Sequence, residues 1–157
     1  MLDFNAYQQL LALYADYAAA LDNNELDKWP EFFTDQCVYK VQPRENFERG
    51  YPLATLSFES RGMLKDRVFG VTETIFHDPY YQRHVVSVPR ILEADGQRIR
   101  AEANYAVFRT KPDDISTVFN VGRYIDTIRR TDQGLKFESR ICVFDSELIA
   151  NSLIYPI

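Results

Sequence analysis

A chain of 157 residues is the usual size of one globular domain and can bury a sizeable core without disulfide or metal staples. Its net charge of −5 and pI near 5.0 argue against nucleic acid or an anionic membrane as partner, since both call for a basic surface. Cys37 and Cys142 lie far apart and in no CxxC arrangement, which disfavours a disulfide framework and fits a reducing compartment; with no basic-then-apolar leader and no run of membrane-spanning length, the expectation is a soluble cytoplasmic protein.

Taken in chain order, apolar residues first recur at Tyr7, Leu10, Leu11, Tyr14, Ala18 and Leu21, the rhythm of an amphipathic helix over Asp3 to Leu21 that Asp3 or Asn5 can cap. Asn23-Asn24 breaks it. Leu26, Trp29, Phe32 and Phe33 give a second, short stripe in which Pro30 is tolerable only in a first turn, so the segment reads as a helical hairpin. Cys37 to Val41 is a plausible first strand. The breaker-rich stretch from Pro43 to Pro52 is a loop, and Leu53 to Val68 is a third helical segment. Beyond Tyr81 the texture changes to period two, at Val85 to Val88 and then at Ile99, Ala101, Ala103, Tyr105 and Val107. Asp95-Gly96 and Gln133-Gly134 are hairpin turns and "KPDD" from Lys111 is a longer connection, giving an antiparallel meander of long strands. Helices first and strands afterwards imply an α+β fold, a curved sheet over N-terminal helices, in one domain spanning 1–157.

The stretch "HDPYYQRH", from His77 to His84, holds both histidines and draws attention as a possible site. His77, His84 and Asp78 are the ligand types of a facial iron triad. Seven positions separate the histidines, which places them on opposite faces of a strand, and Pro79 forbids an uninterrupted helix, so convergence needs a turn at Asp78-Pro79. The distant Cys and His positions do not match the closely spaced pairs of a Rieske cluster. Acid–base chemistry is a further option, with His84 beside Tyr14 or Tyr105 in an apolar cavity. Against each of these stands a plainer reading in which the histidines are satisfied packing residues. Neither a GxSxG elbow nor a glycine-rich phosphate loop occurs. The strand arginines, from Arg83 to Arg140, read as solvated or salt-bridged, and collectively with the tyrosines as a protein contact surface.

The succession "DPYYQRHVVSVPRI", "ADGQRIRAEANYAVFRT" and "FNVGRYIDTIRRTDQGLKFESRICVFDSELI", preceded by "KWPEFF" and "YKVQPRENFERG", resembles the small (beta) subunits of bacterial aromatic-ring-hydroxylating oxygenases along nearly the whole chain. Within that family "QPRENFE", "HDPYYQRH" and "NSLIYPI" look most like the small subunits of salicylate 5-hydroxylase-type enzymes. The resemblance implies an NTF2-like cone and an α3β3 assembly. It also implies that the large α subunit carries the Rieske [2Fe-2S] cluster and the mononuclear non-haem iron, fed from NAD(P)H through a reductase and ferredoxin. No catalytic, cofactor-binding or metal residue is then assigned to this chain, whose role is structural. His77, Tyr80, Tyr81, Arg83 and Arg90 are the contact residues such a subunit would offer. The rival reading is a stand-alone NTF2-like isomerase or dehydratase using His84, Tyr14 and a carboxylate such as Asp16.

Overall fold

A computed structural model describes residues 2–149 and 152–157. The first helix, α1, runs Phe4–Asp22, and its start is fixed by Asp3, whose carboxylate accepts from the Ala6 N–H at 2.8 Å. Its apolar stripe, with Leu10, Leu13, Tyr14, Tyr17 and Leu21, is buried against the sheet. The expected second helix is instead one stretch of 3-10 helix, Leu26–Phe32, with Pro30 past its first turn. Burial of Leu26, Trp29 and Pro30 holds this short piece, so the proline's missing donor is tolerated where a longer α-helix would break.

Seven strands follow among the described residues: β1 Phe33–Pro43, β2 Leu56–Phe58, β3 Tyr81–Val86, β4 Arg90–Ala94, β5 Arg98–Thr110, β6 Thr117–Thr131 and β7 Gly134–Phe144. Strand β1 is thus longer than the expected Cys37 to Val41. The loop after it winds into α2, Arg44–Glu48, and the third helical segment is shorter than expected, because Leu56–Phe58 pairs with β1 and leaves only α3, Arg61–Phe69, capped by Ser60. A π turn, Gly70–Thr74, extends α3. Both expected hairpin turns are present: Asp95 N–H donates to the Arg98 carbonyl at 2.9 Å, and Gly134 takes φ +102°, which a glycine adopts without strain.

The sheet order is β2-β1-β7-β6-β5-β3, with β4 also paired to β5; only β1 and β7 run parallel. This mainly antiparallel, curved and unclosed sheet wraps the N-terminal helices in an α+β, NTF2-like arrangement. The pairing register shifts in β1 between Phe33 and Val38, in β4 between Ile91 and Glu93, in β6 at Phe119 and in β7 at Glu138, and the last two change the phase of the alternation in the long strands. At Gly122 the β6 backbone lies so close to β7 that a Cβ would stand 1.9 Å from the Val143 oxygen, so no larger residue fits without moving a strand.

The end of the described chain enters the core. Ile157 is fully buried; its main-chain oxygen accepts from the Tyr17 hydroxyl at 2.8 Å and the Tyr39 hydroxyl at 3.1 Å, while its N–H donates to Tyr39 at 2.9 Å. Arg67 anchors the same segment by donating to the carbonyls of Leu153 and Ile154. The "NSLIYPI" stretch noted above begins at Asn151, which lies outside the described residues.

Candidate functional site

The interior of the cone is built around a buried ion pair. Arg140, on β7, is fully buried and forms a fork with Asp126 on β6, Nε to Oδ1 at 3.0 Å and a terminal guanidinium nitrogen to Oδ2 at 2.7 Å. Tyr14, from α1, donates its hydroxyl to the same carboxylate. Aromatic rings surround the guanidinium, with Tyr124 and Phe137 centroids both 3.9 Å from Cζ and Tyr17 at 4.2 Å. Burial works to lower the Arg140 pKa, but the Asp126 carboxylate more than reverses this and holds it above its ordinary value. Burial first, then the Asp126 charge, raises the Tyr14 hydroxyl well above the usual tyrosine range, so it stays protonated as a donor. Arg140 is thus salt-bridged, as one branch of the expectation for the strand arginines has it, but in the core rather than at the surface. Arg98, Arg100 and Arg90 fulfil it, pairing on the outer face with Glu138, Glu93 and Glu102.

The two histidines have separate surroundings. His84 sits on the inner face of β3 with its side chain inaccessible, and its Nδ1 lies 2.6 Å from Asp22 Oδ1. The same carboxylate accepts the His84 main-chain N–H at 3.0 Å, so Asp22, at the end of α1, caps the strand edge that β5 leaves free. His77 lies ahead of β3, half-buried, with Nε2 2.9 Å from the Tyr155 hydroxyl. Asp78 is exposed beside Lys111. His77, His84 and Asp78 are thus not brought together, and among the described residues no three His, Cys, Asp or Glu side chains are grouped to hold a metal ion. Cys37 and Cys142 are both buried and free, and burial pushes their thiols up to about 11 and about 12.

The acid–base set of the rival reading is also divided. Tyr14 and His84 line the same shallow cavity, but the Tyr14 hydroxyl is committed to Asp126 and Tyr105 donates to Asn120 at 2.6 Å. Asp16 is exposed and lines a different hollow with Lys28 and Lys136. The carboxylate partner of His84 is Asp22, a residue sequence reasoning passed over. Asp126 and Arg140 were missed too; a charged residue within the apolar alternation of β6 was the available signal for Asp126.

The five candidate contact residues divide by exposure. Tyr81 is 73% exposed, and the Arg83 and Arg90 side chains are each 71% exposed. His77 and Tyr80 are half-buried, with the Tyr80 ring 4.8 Å from that of Tyr155. Tyr81, Arg83 and Val85 share the outer face of the sheet with Thr110, Phe108 and Ala106, their respective cross-strand neighbours on β5, and with Val118 and Val121 beyond them on β6. Val85, Val118 and Val121 are exposed there, as is Ile115 in the connection before β6. One half of the outer face is therefore a ladder of charge pairs and the other half is apolar.

Comparison with known proteins shows what the chain is similar to. Residues 16–151 match the family described as "Ring hydroxylating beta subunit". The chain is 31% identical to the anthranilate 1,2-dioxygenase small subunit of Burkholderia cepacia, over 99% of this chain and 96% of that one. It is 29% identical to the terephthalate 1,2-dioxygenase terminal oxygenase component subunit beta 1 of a Comamonas species, over 95% and 97%. Among solved structures, a beta subunit assigned to an aromatic-ring-hydroxylating dioxygenase of Novosphingobium aromaticivorans superposes with TM-score 0.89 at 34% identity, covering 97% of each chain. A naphthalene 1,2-dioxygenase chain shares the fold, with TM-score 0.79 at 18% identity over 99% of this chain and 87% of that one.

Proposed function

Because the chain belongs to the family of ring-hydroxylating beta subunits, we propose that it is the non-catalytic small subunit of a terminal oxygenase that hydroxylates an aromatic carboxylate. In this reading it is one NTF2-like domain over 1–157, works in the cytoplasm, and joins a large α subunit in an α3β3 hexamer. The large subunit carries the Rieske [2Fe-2S] cluster and the mononuclear iron, and a reductase and ferredoxin deliver electrons from NAD(P)H. A salicylate-like ring is the substrate class. The small relatives named for anthranilate and terephthalate, both aromatic carboxylates, support that class.

The observation that carries the reading is the contrast between a filled interior and an open outer face. The groups an acid–base enzyme would need are held inside the fold: Tyr14 donates to Asp126, the His84 ring meets Asp22 through Nδ1 and is inaccessible, and Tyr17 and Tyr39 donate to the Ile157 main chain. The outer face at β3, β5 and β6 keeps Tyr81, Val85, Val118 and Val121 in water, and contiguous exposed apolar surface of this kind marks a protein contact. Tyr81, Arg83 and Arg90 are the contact side chains in this account, aromatic and guanidinium anchors being favoured at interfaces. His77 and Tyr80, held against Tyr155, fix the approach of the segment to β3.

Co-expression with a Rieske-type large subunit of this oxygenase class tests this. The expected result is one iron-containing complex that hydroxylates a salicylate-like ring, with turnover unaffected by Asp16→Asn. Turnover of a ring ketone by the purified chain alone, lost in His84→Ala, would establish the isomerase reading instead.

A further inference from the structure

Where the segment ahead of β3 meets the end of β5, the surface holds a hollow of about 170 Å3. Phe76, Tyr80 and Ile154 supply apolar wall, and Arg109 and Lys111 bring two cations to it. The Lys111 side chain keeps 32% of its surface in water, so its ammonium is within reach of a ligand. The walls are fixed by contacts of their own. His77 Nε2 meets the Tyr155 hydroxyl at 2.9 Å, and the Tyr80 ring packs 4.8 Å from that of Tyr155. The Arg109 guanidinium carbon stands 4.8 Å from the Phe119 ring centroid and 5.6 Å from that of Tyr80. Stacking engages the face of a guanidinium, whereas its five donors lie in the plane around it. One carboxylate, Asp78, also lines the hollow, 3.6 Å from Lys111 Nζ. Its side chain is 82% exposed, and an ion pair so solvated is worth at most about 1 kcal/mol, so a ligand carboxylate can take its place.

We infer that this hollow binds a small monocarboxylate whose apolar body is no larger than one ring, the carboxylate meeting Lys111 and Arg109 and the body lying against Phe76, Tyr80 and Ile154. Two cations against one solvated carboxylate select an anion. The volume sets the upper size, since a cavity of about 150 Å3 accommodates benzene and the hollow exceeds that only slightly. The apolar wall separates a carboxylate that carries a hydrocarbon body from a bare inorganic anion. The site lies within this one chain, so its failure leaves the assembly reading untouched.

Titration of the isotope-labelled full chain with benzoate, its neutral isostere benzamide and inorganic phosphate, followed by NMR at the amides of residues 76–80 and 109–111, tests it. Benzoate should shift these signals saturably, benzamide should bind at least about tenfold more weakly for want of the charge, and phosphate should bind more weakly than benzoate for want of the apolar body. Lys111→Gln should weaken benzoate at least about fivefold with the melting curve unchanged. If that variant does not fold, Asp78→Asn, at an exposed position, provides the second reading: removal of the competing carboxylate should tighten benzoate about two- to fivefold. Absence of a saturable benzoate shift below about 100 mM, equal affinity for benzamide, preference for phosphate, undiminished binding in folded Lys111→Gln, or weakened binding in Asp78→Asn would each overturn the proposal.

Discussion

The interior around Arg140 and the outer face around Tyr81 use the same residue types, arginine and tyrosine, to opposite ends. Inside, the guanidinium is forked onto Asp126 and enclosed by four aromatic rings, so its charge is consumed within the fold. Outside, Arg83 reaches Asp22 only at 3.9 Å and Tyr81 contributes its ring to an exposed apolar face. Polar residues in this protein therefore mark architecture where they are paired and buried, and contact where they are exposed beside apolar neighbours. A list of polar residues in the sequence does not separate the two.

The largest effect should come from breaking the interior. Arg140→Met leaves the Asp126 carboxylate buried without its partner and should cost roughly 3–5 kcal/mol in urea denaturation, while the double variant with Asp126→Leu should recover much of it. A single-variant loss below about 1 kcal/mol would mean that the pair is not what organises the cone, since that is the range of exposed ion pairs.

Asp22 stands between the two regions, since it serves both the His84 ring and the edge of β3. Asp22→Ala should cost roughly 1–3 kcal/mol and speed hydrogen exchange of the His84 amide, because the strand edge loses its acceptor. Unchanged exchange would place the protection of that edge elsewhere.

How much of this was legible in the sequence follows from the same residues. The helix from Phe4, the alternation of β5 and the two glycine turns are local, and local periodicity reports them. The position of Arg140 is not local: carried on from Leu135 and Phe137, the alternation puts it outside, and only the bulge at Glu138 turns it inward. Asp22 and His84 meet across 62 positions, which no spacing rule anticipates. Leu56–Phe58 was absorbed into a helix because three residues are too few to show a period, and pairing with β1 decides its state. The divergence of His77 and His84 was legible only in part: the odd separation applies to two residues of one strand, whereas His77 lies ahead of β3, and a turn at Asp78-Pro79 had left convergence open.

The smallest effect on stability and the largest on assembly should fall on the outer face. Tyr81→Ser together with Val85→Thr removes exposed apolar surface and should change unfolding free energy by no more than about 0.5 kcal/mol. The most direct measurement is the mass of the complex formed when this double variant is co-expressed with the large subunit, determined by analytical ultracentrifugation beside the unaltered chain. The account predicts a folded small subunit that no longer assembles; a complex of unchanged mass and stability would contradict the assignment of this face as the contact surface.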